Sequence, residues 1–106
     1  MADQLFTIEA VAAKHGDALI LHYGDPASPK RILVDGGPPG VFNRYLQPRL
    51  RMLRNAWTDG TEPLDLEAVI ISHVDQDHVA GVLDLFEDIR DRRLENRRQL
   101  VRTGAL

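Results

Sequence analysis

Apolar residues recur at period two in the first third of the chain and at helical period later on, with turn formers between the runs. From Leu5 to Val11, Phe6 and Ile8 fall on one face and Thr7 and Glu9 on the other, the pattern of a half-buried strand. Residues 14–17 read as a turn, Ala18 to Tyr23 as a second strand, and Arg31 to Val34 as a short third one. Residues 24–29 are dense in turn formers. Strands joined this closely pair antiparallel, because parallel neighbours need long crossovers. The next stretch, Gly36-Gly37-Pro38-Pro39-Gly40, excludes regular structure. Beyond it Pro48 suits a first helical turn, and Leu50, Leu53 and Trp57 form an apolar stripe that makes Trp57 a core residue. Residues 59–63 break that helix, and a fourth strand runs from Glu67 to Ser72.

After Gly81 the period becomes helical again, with Val82, Leu85, Phe86 and Ile89 on one stripe. Past Ile89 only Leu94 and Val101 stand out from a charged sequence, which reads as a solvated helical continuation or a frayed tail. The 106 residues make one small domain, with residues 1–89 as its ordered core and 90–106 as the charged end.

Composition narrows the chemistry. The chain has no cysteine, which removes disulfides, thiolate metal sites and a cysteine nucleophile together. A net charge of −3 is too small to indicate nucleic acid by itself. From Val79 onward there are six arginines, all between Arg90 and Arg102, against five acids, so the cluster reads first as a solvated face. No apolar run reaches the roughly 18 residues of a membrane span, and the first residues lack a signal-peptide pattern. A cytoplasmic address is the default.

The stretch from Leu66 to Ile89 concentrates the candidate chemistry. An apolar run, Ala68 to Ile71, stops at Ser72, and His73, Asp75, Asp77 and His78 follow within six residues. In an extended loop His73, Asp75 and Asp77 would project to the same side, with His78 adjoining where the helix begins. Neutral imidazoles and ionised carboxylates suit zinc, manganese or iron without a thiolate. The alternative is that Asp77 merely caps the helix and the histidines are ordinary loop residues. Four donors directly after a buried strand favour a metal site. His15 and Asp17 sit at a turn that could border it, whereas His22 alternates with Leu21 and reads as a strand surface residue.

The pattern His-x-Asp-x-Asp-His, followed by a small residue and Gly, resembles the His-x-His-x-Asp-His signature of metallo-β-lactamase-fold hydrolases. The aspartate variant is similar to that of the hydrolase domain of competence-type DNA-uptake proteins. Residues 16–21 and 32–37 resemble the second and third strands of that family, so the likeness covers about Phe6 to Phe86. It implies an α/β (α+β) fold, namely the first half of a four-layer αββα sandwich of mostly antiparallel strands with flanking helices. It further implies His73 as a ligand of a first metal, with Asp77 and His78 as ligands of a second and Asp77 orienting the nucleophilic water. Asp75 stands where the family has a second histidine. Zinc is the first expectation, and the harder carboxylate shifts preference towards manganese or magnesium. Asp35 matches a residue beneath the site that would hydrogen-bond a ligand histidine.

The function implied is a metal-dependent hydrolase, or the N-terminal part of one. A phosphodiester or nucleic-acid substrate comes first, and a small ester, amide or lactone second. The later metal ligands of the family have no counterpart in this sequence, and one half-sandwich leaves a sheet face uncovered. The implied partners are therefore a C-terminal half, a second copy or another chain, and an isolated half would bind metal poorly and catalyse little. A catalytically incomplete pairing or regulatory module is the other class of function this length allows.

Overall fold

In a computed structural model of the protein, β1 (Leu5–Val11), β2 (Ala18–Gly24) and β3 (Lys30–Val34) form the antiparallel meander that the turn spacing predicts. The model describes residues 4–11, 18–59, 62–72 and 76–103, and of residues 76–78 the backbone alone. The β2–β3 turn is closed twice. Ser28 donates its N–H to the Asp25 carbonyl at 2.9 Å, and Ala27 donates to the Asp25 carboxylate at 2.9 Å. A π-helical turn, Phe42–Leu46, then runs directly into α1 (Gln47–Thr58), with Pro48 in the first turn.

This helix provides the crossover that lets β5 (Ala68–Ile70) join β3 in parallel, giving a sheet ordered β1-β2-β3-β5. The fourth strand is thus three residues long where the sequence predicts six. Just before it, β4 (Leu64–Leu66) pairs in parallel with β6 (Val101–Thr103) as a separate two-stranded sheet. α2 (Gln76–Leu94) starts five residues before Gly81 and places that glycine inside the helix. The charged end follows the helical expectation only to Leu94. Leu100 and Val101 then enter the core, because the pairing with β4 gives them an apolar floor that their isolation in sequence conceals.

The core lies between the helices and one face of the large sheet, around Ile20, Leu33, Leu46, Leu50, Leu66, Leu85 and Leu100. That covered face is the polar one in β1, the reverse of what alternation suggests. Phe6 and Ile8 are 69% and 58% exposed, whereas Glu9 is half-buried beneath α1. Burial of polar groups here is offset by pairing. Arg49 on α1 grips both oxygens of Glu9, and His22 contacts the same carboxylate at 2.9 Å. Arg31 donates its Nε–H to His22 Nδ1 at 3.0 Å, so Nδ1 accepts and Nε2 carries the proton given to Glu9. His22 is therefore 8% exposed and no surface residue. Trp57 is no core residue either. It is 47% exposed and lies over the Arg31 guanidinium, 5.2 Å from charge to ring centre.

Burial pushes the Glu9 carboxyl up, but the bonds and charges of Arg49 and His22 together hold it below the ordinary glutamate value. A depressed folded value means that ionised Glu9 contributes fully at pH above its unfolded value. The contribution disappears as pH falls through the lower folded value. Glu9→Gln is therefore expected to flatten the acid limb of a stability–pH curve while lowering stability at neutral pH. An unchanged acid limb in urea melts would contradict this role.

Candidate metal centre

β3 and β5 end side by side, and the candidate chemistry follows their last residues. Asp35, the first residue after β3, adopts φ 61°, a left-handed conformation that aspartate tolerates better than most residues. Its N–H still bonds to the Ile70 carbonyl at 2.7 Å, continuing the ladder by one step. Its carboxylate is buried, with the residue 2% exposed, and grips Ser72 by two bonds. The Ser72 N–H donates to Oδ1 at 2.7 Å and the Ser72 hydroxyl to Oδ2 at 2.5 Å. Such charge-assisted bonds are short and strong. They fix the chain immediately before His73.

A second restraint lies beyond the donors. The backbone at Gly36 rests directly against α2 at Gly81, and Gly81 donates its N–H to the Gly37 carbonyl at 3.1 Å. A Cβ added at Gly36 would overlap the backbone of Gly81 and Val82, and one added at Gly81 would overlap the backbone of Gly36. Both positions require glycine for this approach. Gly37 and Gly40, at φ 75° and 89°, turn the intervening loop towards the π-helical turn. Residues 73–80 are thus bracketed by the Asp35–Ser72 clamp and the Gly36–Gly81 crossing.

His73 and Asp75, and the side chains of Asp77 and His78, lie outside the described residues, as do His15 and Asp17. The backbone of Asp77 and His78 belongs to the first turn of α2. Among the described residues no group of three or more His, Asp or Glu side chains could hold a metal ion. Asp35 directly follows β3, and Ser72 is one partner of its carboxylate. Sequence reasoning missed Ser72 and the paired glycines. The available signal was Gly81 itself, a glycine inside a helical pattern, which often marks a close backbone approach. The arginines of the chain's end are largely engaged with the neighbouring acids: Arg92 with Asp88, Arg90 with Asp91, Arg97 with Glu95, and Arg102 with Asp65.

The chemistry of the donor set at residues 73–78 fits a divalent cation, with two imidazoles, two carboxylates and no thiolate. A mixed α/β fold with an antiparallel meander and two helices is consistent with part of a metallo-beta-lactamase fold. The chain belongs to the metallo-beta-lactamase superfamily, whose family model matches residues 29–101. Members are generally hydrolytic enzymes and usually bind divalent metals. No curated protein and no solved structure matches the chain. Among the described residues no helix is long and apolar enough to cross a membrane.

Proposed function

We propose that the protein is a metal-dependent hydrolase acting on phosphodiesters of nucleic acid, with His73, Asp75, Asp77 and His78 holding one or two divalent ions. The observation that carries the reading is the run of four nitrogen and oxygen donors directly after β5, inside the segment that matches the family. Zinc suits the two imidazoles, while the carboxylate of Asp75 admits manganese or magnesium. A bound divalent ion supplies Lewis acidity and makes water nucleophilic at neutral pH.

The chain's own residues divide the remaining work. Asp77 orients the attacking water and accepts its proton, and His73 and His78 present neutral nitrogens. Asp35 acts at one remove by fixing Ser72. The first turn of the 19-residue α2 directs unpaired N–H groups and partial positive charge towards an anionic substrate group. The choice of nucleic acid rests on the aspartate variant of the signature, which is similar to that of competence-type DNA-uptake hydrolase domains.

With manganese or zinc present, hydrolysis of single-stranded DNA is expected to exceed that of a lactone panel. Alanine at Asp77 or His78 is expected to abolish it. Undiminished hydrolysis by those variants removes the assignment, and lactone turnover without DNA cleavage replaces the substrate class.

A further inference from the structure

We infer that the C-terminal ends of α1 and α2 form a binding surface for single-stranded nucleic acid. Trp57 stacks on a base there, and Arg51, Arg54, Arg92 and Arg98 meet the phosphates. The inference does not rest on the hydrolase reading. Arg92 lies roughly 24 Å along α2 from Gln76, so this surface is separate from the donor run. Arg54 donates its Nη1–H to the Gln99 carbonyl at 3.3 Å, and Arg92 donates its Nη1–H to the Arg98 carbonyl at 3.0 Å. Both helix ends are thereby tied to the same two neighbouring residues. Arg51 is exposed and lies one turn before Arg54 on α1.

Burial, and after it the like charges of Arg92, Arg98 and Arg51, hold the Arg54 guanidinium below its ordinary value. Asp88, which bonds Arg92 at 2.9 Å, is the opposing carboxylate. A local positive excess therefore stands out on a chain whose net charge is −3, and it attracts anions. Guanidinium forks match phosphate oxygens two bonds at a time. The second feature is aromatic. Trp57 lies one turn beyond Arg54 on the same helix. The inner face of its ring rests on the buried Arg31 guanidinium, and the residue is half-exposed, so the outer face is presented beside the arginines. Aromatic stacking accepts any base, because every base offers a π-face. A duplex keeps its bases inside the stack and an acidic peptide has none. A single strand is the ligand that uses both features.

Trp57 is the chain's single tryptophan, so its fluorescence reports on the site. The test is titration with an oligothymidylate of about 20 nucleotides, in chelator and without added metal. Saturating quenching is expected, with an affinity that falls as salt rises at a logarithmic slope of about −2 to −3. Arg51→Gln and Arg54→Gln are each expected to weaken binding by about 3- to 10-fold and to reduce the slope by about 0.7. Trp57→Leu, its fold checked by circular dichroism, is expected to lose about 5- to 100-fold in anisotropy titrations of the labelled strand. If that variant does not fold, the arginine variants decide alone, since Arg51 is exposed. Arg90→Gln, two positions from Arg92 and so on another face of α2, is expected to bind as the wild type does. No quenching, a salt-independent affinity, undiminished binding by the Arg51→Gln and Arg54→Gln double variant, or an equal loss in Arg90→Gln would each overturn the inference. So would equally tight binding of polyglutamate, which would mark a surface for acidic protein instead.

Discussion

Gly81→Ala is expected to destabilise the protein by about 1–3 kcal/mol, the cost of overpacking a closed contact. The sign is what matters. Inside an ordinary helix the same change gains up to about 1 kcal/mol through propensity. Here the new methyl group would fall on the backbone of Gly36, which no side-chain rotation can relieve. The helix start must then lift away from the end of β3 and take residues 73–78 with it. Gly36→Ala should show the same penalty, and the double variant should cost less than the two added together, because both changes open one gap. Urea midpoints decide the matter. A stabilised Gly81→Ala protein would mean that the crossing is loose.

Asp35→Ala is expected to cost roughly 2–4 kcal/mol, summing an orphaned N–H and hydroxyl on Ser72 with alanine's penalty at positive φ. Loss of the carboxylate's own desolvation cost offsets part of this. Asp35→Asn keeps an acceptor and tolerates the left-handed backbone, so it should lose about 1 kcal/mol. Ser72→Ala removes only the hydroxyl bond and should cost a similar amount. If Asp35 holds the loop as the geometry indicates, the alanine variant should also lose about 10–100-fold in metal affinity, as outer-shell changes do. Stability lost without any change in affinity would confine Asp35 to the scaffold.

Much of the fold is legible in the sequence because local rules and tertiary context agree there. The meander of β1 to β3 follows from period-two runs and short turns. Leu50 and Leu53 mark the buried side of α1, and Val82 and Leu85 that of α2. Alternation, however, only sorts residues between two faces and does not say which face the helices cover. That ambiguity is why Phe6 and Ile8 stand open while Glu9, His22 and Arg31 lie beneath α1. The polar network becomes affordable only once Arg49 and Trp57 arrive from a distant helix. β4 and β6, at three residues each, are too short to show a period, so Leu100 and Val101 look like stray apolar points. At the candidate centre, the donor run and Asp35 are visible in sequence through chemistry and resemblance. Their restraints are not, since a serine at a strand end and two glycines 45 positions apart carry no pairwise signal in a single sequence.

Calorimetric titration of metal-free protein with zinc and with manganese, for the wild type and for Asp77→Ala, addresses the donor cluster most directly. Saturable uptake of one or two ions per chain, weakened at least about tenfold in the variant, is the expected result. Equal uptake by both proteins, or none by the wild type, would contradict a metal centre built on residues 73–78.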